Sequence, residues 1–480
     1  MNENGFNNTR ATIKDVAVKA NVSLSTVSRA LREPDKTPAE TVSKVRAAAE
    51  ALNYVYNATA GSLSKRRSDT IGILLPSPTY AAFGVNLMAI QKTCSERNYS
   101  CKVALSQFSP EEERLAMRRF HEQRIGGLIL VGLDMSNVEY MKTLEAAGIP
   151  AFGPRANAAI IEASKAFSKE LMKKYHIPTA KYETFTDMDA ALAYVRAEGA
   201  PIVVKADGLA LGKGVVVAST VEEAETAVRE MMEGHKFGDS GNTVVIEECM
   251  VGPEVTVLAF CDGEHLVPML SSQDHKRAYD GNQGPNTGGM GAFCPSPKYT
   301  PEIAQRCMEE IFLPTVAAMQ AEGRPFKGVI YFGLMLTADG PKVVEYNARF
   351  GDPETQPLLS MLDTDLMDIF QACVDGTLDQ LEIKWKEGAA CCIVLASGGY
   401  PVKYQSGYPI SGLEEAGKLA TVFHAGTKIG EDGAVLTAGG RVLGVTATGK
   451  DLEDAIAKAY AACKPISFQD MHFRTDIGKV

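Results

Sequence analysis

Apolar positions in the first 70 residues recur at helical spacing. Ile13, Val16 and Ala17 share one face of the stretch from Ala11 to Val18, and Asn21 interrupts the pattern. Ser23 then stands as the N-cap of a second helix, Leu24 to Leu31, which buries Val27, Ala30 and Leu31. Leu24, Ser25, Thr26 and Arg29 face outward from it. Val42, Val45, Ala49 and Leu52 place a third helix over Pro38 to Leu52. Two short helices joined by a tight turn predict a helix-turn-helix, although the pattern alone fits a plain three-helix bundle equally well.

The periodicity then changes. Ile71 to Leu75 reads as a short buried strand and Cys101 to Ser106 and Gly127 to Gly132 as two more strands, separated by helices over Ala82 to Arg97 and Glu111 to Gln123. This alternation predicts a parallel, right-handed α/β unit. Farther on, the strand Pro201 to Lys205 runs into the glycine-rich loop Gly208 to Gly214. In Lys342 to Glu354, period two sets Glu345, Asn347 and Arg349 on one face. The strand Cys391 to Ala396 and the helix Leu452 to Cys463 close the pattern.

A chain of 480 residues exceeds one ordinary core and predicts several domains. No apolar run approaches the roughly 18 residues of a membrane span. The start MNENGFNNTR lacks the features of a secretory signal, so a cytoplasmic protein is expected. The ten cysteines show no zinc spacing and read as reduced thiols. Charge is uneven: residues 1–70 carry eleven Lys/Arg against seven Asp/Glu, while the whole chain is at -10. A basic head on an acidic body suggests a polyanionic partner for the head alone.

The head settles between its two readings on its residues. T-I-K-D-V-A from Thr12, N-V-S-L-S-T-V-S-R-A-L from Asn21 and A-L-N-Y from Ala51 resemble the headpiece of LacI-type repressors. The resemblance implies duplex DNA as partner, with Leu24, Ser25, Thr26 and Arg29 on the recognition helix, where arginine pairs with guanine O6 and N7. It also implies a hinge helix over 57–63, with Leu63 as a wedge at a minor-groove step. The α/β stretch after it resembles the opening third of a repressor's sugar-binding domain, and that resemblance stops after Ile149-Pro150.

From Gly153 onward the chain resembles the phosphoribosylamine-glycine ligase family of ATP-grasp enzymes. The motifs are P-I-V-V-K with G-L-A-L-G-K-G, V-V-I-E-E-C-M, G-P-E, Q-D-H-K-R, G-P-N-T-G-G-M-G and E-Y-N-A-R-F-G-D-P-E. Glycines let backbone N–H groups approach phosphate oxygens, and lysines neutralise them. The resemblance implies ATP held by Lys165, Lys205, Gly208, Gly212, Lys213, Gly214, Glu247, Glu248, Met250 and Glu254. It implies magnesium or manganese on Glu345 and Asn347, hard oxygen donors of the kind such cations take. Arg349, His275 and Lys276 are the candidates for contact with glycine and 5-phosphoribosylamine, and His275 reads equally as a structural histidine. The run Gly284 to Gly291 is expected to be a loop. Phe332-Gly333-Leu334 offers no acid for the metal. The family's opening domain, with its G-G-x-E/R-H-A turn, has no counterpart in these residues.

The expected architecture is multidomain α/β and α+β. It comprises an all-α helix-turn-helix domain with hinge at 1–68 and a partial periplasmic-binding-like parallel α/β unit at 69–150. An ATP-grasp domain follows at 151–355, with its lid over about 175–247, and a small C-terminal domain at 356–480. The expected function is ATP-dependent ligation of glycine to 5-phosphoribosylamine, giving glycinamide ribonucleotide in de novo purine synthesis. The alternative is a DNA-binding transcriptional regulator with a catalytically impaired ligase body.

Overall fold

The computed structural model describes residues 11–32, 36–52, 54, 68–77, 81–130, 151–208, 214–233 and 241–479. The chain divides into two compact units: Met1–Leu74 with Gln91–Ala104 and Ala116–Ile129, and the remainder.

In the first unit, helices α1 (Ile13–Ala20), α2 (Leu24–Arg32) and α3 (Ala39–Ala51) enclose Val16, Ala17, Val27, Ala30, Val42, Val45, Ala48 and Ala49. Asn21 ends α1 in the left-handed region at φ 53°, a conformation that a short amide side chain tolerates. Ser23 Oγ accepts the Thr26 N–H at 3.1 Å and caps α2 as expected. The α/β stretch supplies a three-stranded sheet, β1 (Thr70–Leu75), β2 (Ser100–Leu105) and β3 (Gly127–Leu130), in the order β2-β1-β3. Helices α4 (Ala81–Glu96) and α5 (Pro110–Glu122) intervene along the chain. The expected hinge with Leu63, and Val131 to Pro150, lie outside the described residues.

From residue 151 the second unit continues with α6 (Ala156–Ala163) and α7 (Lys165–Lys174). A four-stranded antiparallel sheet follows: β4 (Tyr182–Phe185), β5 (Ile202–Ala206), β6 (Val215–Ala218) and β7 (Val244–Glu248), in the order β4-β7-β5-β6. Helices α8 (Met188–Glu198) and α9 (Val221–Met232) bury Ala191, Leu192, Val195, Ala224, Ala227 and Val228 against Val204, Ala206, Val244 and Ile246. This lid therefore has a core of its own. Asp187 and Thr220 cap its two helices, so short polar residues mark both starts.

The rest is organised by one nine-stranded sheet. Its strands are β8 (Glu254–Asp262), β9 (Leu266–Asp274), β12 (Gly291–Cys294), β13 (Lys327–Thr337), β14 (Gly340–Asn347), β15 (Ala389–Ser397), β16 (Thr421–His424) and β19 (Arg441–Gly449). They run in the order β14-β13-β8-β9-β12-β15-β19-β16, and β20 (Met471–His472) pairs with β15. Two hairpins stand beside it, β10 (Arg277–Tyr279) with β11 (Gln283–Asn286), and β17 (Thr427–Ile429) with β18 (Val435–Thr437). The C-terminal residues thus continue the same sheet, and β12 is the seam, pairing with β9 on one side and β15 on the other. The run from Gly284 is only partly the expected loop: its first residues pair with Arg277–Tyr279 before Thr287 to Met290 turn back. No helix among the described residues is long and apolar enough to cross a membrane.

Candidate active site

Three elements converge where the lid meets the core sheet. Lys165 is the first residue of α7, after Ser164, whose Oγ accepts the Phe167 N–H at 3.0 Å. Asp207, which follows β5, accepts from Ser164 Oγ at 3.0 Å and from the Ala166 N–H at 2.6 Å. This carboxylate joins the end of β5 to the start of α7, and Lys165 Nζ donates to Gly208 O at 3.0 Å. Burial lowers the Lys165 pKa, against the pull of Glu345. Lys205 on β5 is almost fully buried, with Nζ 2.8 Å from Glu247 Oε2 and 3.2 Å from Val344 O. Glu247, on β7, also has Lys169 Nζ 3.2 Å from its other oxygen. Its neighbour Glu248 accepts the Lys181 N–H at 3.1 Å and lies 3.6 Å from Lys342 Nζ. Met250 stands two residues past the end of β7, and Gly214 precedes β6. Gly212 and Lys213 lie outside the described residues.

Glu345 on β14 sits opposite Gly333 of β13. Burial pushes its carboxyl pKa up, but Lys276, Lys205, Lys165 and Arg349 outweigh that and hold it below the usual value. A Cβ on Gly333 would come within 3.2 Å of Glu345 Cγ, so a larger side chain at 333 would crowd this carboxylate. Two residues on, Asn347 Oδ1 accepts from Arg349 Nη2 at 3.3 Å. Arg349 lies just past the strand but stays beside its end, because Glu162 at the close of α6 takes its Nε at 3.1 Å and the Ala348 N–H at 2.8 Å. Glu345 makes no side-chain hydrogen bond among the described residues. A carboxylate ringed by cations, with an amide oxygen next along its face, fits a divalent cation that bridges phosphates.

Lys276 pairs with Glu254 at 2.8 Å. Burial lowers the Lys276 pKa, but Asp274, Glu254 and Glu345 together raise it above the ordinary value. Beneath them, Thr256 Oγ1 lies 2.8 Å from Tyr331 OH, which donates to Glu354 Oε1 at 2.9 Å. Burial and then Asp274 push the Glu354 carboxyl up to about 7.

His275 is not brought to this cluster. Its ring lies against Phe293, its Nε2 accepts the Gly478 N–H at 3.4 Å, and burial, aided by Arg474, lowers it to about 4. The glycine-rich turn folds onto the link between β9 and β10 through Thr287 N–H to Lys276 O at 2.7 Å and Met290 N–H to His275 O at 2.8 Å. Arg441 on β19 braces it, donating to Gly288 O at 2.7 Å, Asp352 O at 2.9 Å and Asp352 Oδ2 at 2.9 Å. Sequence reading missed Glu162, Asp207, Asp274 and Arg441. Asp274 alone carried a signal, standing inside the Q-D-H-K-R motif. In the first unit, Leu24, Ser25 and Arg29 are exposed on α2, while Thr26 Oγ1 lies 2.8 Å from Ser23 Oγ.

Residues 163–355 match the family model "Phosphoribosylglycinamide synthetase, ATP-grasp (A) domain", and residues 390–480 match its C domain. Residues 12–57 match "Bacterial regulatory proteins, lacI family". The phosphoribosylamine-glycine ligase of Vibrio parahaemolyticus is 53% identical over 334 residues, which span 69% of this chain and 78% of that one. That of Escherichia coli O6:H1 is 49% identical over 367 residues, 76% and 85% of the two chains. The crystal structure of the Thermotoga maritima ligase matches with a TM-score of 0.69 at 29% identity, covering 85% of this chain and 100% of that one. The biotin carboxylase domain of Hydrogenobacter thermophilus 2-oxoglutarate carboxylase, in complex with MgADP, shares the fold at 14% identity and a TM-score of 0.62.

Proposed function

Because this chain belongs to the phosphoribosylamine-glycine ligase family and carries a lacI-family segment ahead of it, we propose that it uses ATP to join glycine to 5-phosphoribosylamine and binds duplex DNA through its head. It is an ATP-grasp carbon-nitrogen ligase, a class that uses ATP with a divalent metal. The observation that supports the site assignment is the set of cations gathered beside β14: Lys205 reaches Val344 O next to Glu345, Lys165 reaches Gly208 O just past β5, and Glu162 holds Arg349 at the end of the strand.

The reaction runs in two displacements. A glycine carboxylate oxygen attacks the γ-phosphorus of ATP and ADP leaves, giving glycyl phosphate. The amine of phosphoribosylamine then attacks the acyl carbon, phosphate departs with the C–O bonding pair, and the amine proton passes to solvent. Such chemistry needs positioning and charge neutralisation more than a protein nucleophile. Lys165 and Lys205 meet the phosphates, and the backbone around Gly208, Gly212, Lys213 and Gly214 approaches them. Glu247, Glu248 and Met250 line the adenine edge, and Glu254 takes the ribose hydroxyls. Magnesium or manganese on Glu345 and Asn347 would neutralise charge on the phosphate oxygens. Arg349 and Lys276 hold anionic groups of the substrates. His275 acts through the strand it fixes. We set the domain limits at 1–68, 69–150, 151–355 and 356–480.

A coupled assay of ADP release tests this reading. Glycine should stimulate release over ATP alone, and phosphoribosylamine should raise it further; no response to glycine at any concentration overturns the assignment. For the head, the exposed Arg29 on α2 is the base-reading candidate. Arg29→Ala should weaken binding to a preferred duplex by about 1 to 3 kcal/mol while leaving nonspecific, salt-sensitive binding nearly unchanged. Equal affinity of both proteins for every duplex in a selection pool would remove the arginine from recognition.

A further inference from the structure

The joint between lid and core holds a second lysine that the ATP-site reading does not use. Lys169 on α7 is 2% exposed, yet it carries its charge into the interior, where Nζ stands 3.2 Å from Glu247 Oε1 and 2.8 Å from Thr179 Oγ1. Glu247 is 3% exposed and Lys205 4%, so one carboxylate lies between two buried ammonium groups. Thr179 Oγ1 donates to Val343 O at 2.7 Å, the Val343 N–H donates to Pro178 O at 2.8 Å, and Lys205 reaches Val344 O. All of these contacts stand within two residues of Glu345 on β14.

The charges decide what this arrangement does. With Lys169 present, Glu247 is shared and the trio carries a net charge of about +1, which an incoming phosphate meets through Lys205. Without Lys169, Glu247 has Lys205 as its remaining ion-pair partner here. The resulting pair is neutral, and a buried carboxylate with one counter-ion holds that ion tightly. We propose that Lys169 is a positioning residue for the nucleotide phosphates: by sharing Glu247 it leaves Lys205 available to them, and through Thr179 it fixes the lid against β14. This rests on the functional reading above. A purely structural lysine would stabilise the joint without distinguishing nucleotides by their phosphate number.

The test compares Mg-ATP and AMP binding by calorimetry on the full chain, its Lys169→Met variant, Glu247→Gln, and the double variant. Lys169→Met should weaken ATP about tenfold or more and change AMP less than about twofold, whereas in the Glu247→Gln background the same replacement should cost less than about twofold. Equal loss of both nucleotides, as collapse of the fold would give, overturns the proposal. So does an undiminished penalty in the Glu247→Gln background, or unchanged ATP affinity in Lys169→Met. If the unaltered chain binds no Mg-ATP, the functional reading itself fails and takes this one with it. If it binds and Lys169→Met binds equally, the functional reading survives and only the role of Lys169 falls.

Discussion

Mg-ATP should raise the melting temperature of the unaltered chain, and Glu345→Gln or Lys205→Ala should abolish that rise. A ligand confined to the folded state adds about 2.7 kcal/mol at a hundredfold excess over its dissociation constant. Both replacements act on the same charge constellation. The charges of Lys276, Lys205, Lys165 and Arg349 all act on Glu345, so neutralising it would remove the proposed metal donor and leave those cations uncompensated. Removing Lys205 strips a buried cation from the proposed phosphate site and leaves Glu247 to Lys169 alone. Scanning fluorimetry reads the shift directly. An undiminished shift in both variants would place the nucleotide elsewhere.

The second large effect concerns residues 69–150. Amide formation should be at least about a hundredfold slower than in a version with residues 1–150 replaced by the family's own N-terminal domain, because misplacing a reactant by about 1 Å costs that much. The Thermotoga ligase is matched over its whole length by 85% of this chain, so the match reaches back past Gly153 into the α/β stretch. That stretch repeats the strand-helix order without the family's glycine-rich turn, whose backbone N–H groups would hold a substrate phosphate. Glycine-dependent ADP release should survive, since Lys165, Lys205, Glu345 and Asn347 lie outside the replaced part. Equal rates of glycinamide ribonucleotide formation in the two proteins would mean that the turn is dispensable.

Much of this was legible because the signals were local. The three head helices and their Ser23 cap follow from apolar spacing and one side chain's geometry, and the helix Leu452–Cys463 begins and ends where its periodicity does. The motif lysines and Glu345 were picked out by resemblance to the family's motifs, and the charges of Lys165, Lys205 and Lys276 do act on Glu345 in the fold. What escaped depended on tertiary placement. Glu162 reaches Arg349 across 187 positions, and Arg441 reaches Gly288 across 153, distances at which sequence carries no pairing signal. The burial that makes Glu247 a shared counter-ion was equally invisible, since its partners Lys169 and Lys205 come from α7 and β5, far from it along the chain.

The path of hydrogen bonds through β12 gives the molecule a mechanical continuity that its family-model boundaries do not express. Gly291 to Cys294 pair with Ile393 to Ala390 across the line where the ATP-grasp core passes into the C-terminal residues. A fragment ended near residue 355 would leave that strand's ladder groups unpaired on an apolar edge, an invitation to associate with another chain. A piece of the ligase body made for crystallisation or screening should therefore run through the C-terminal residues and not stop near 355. The four-stranded sheet, by contrast, has a ladder and a core of its own and is not part of that continuity.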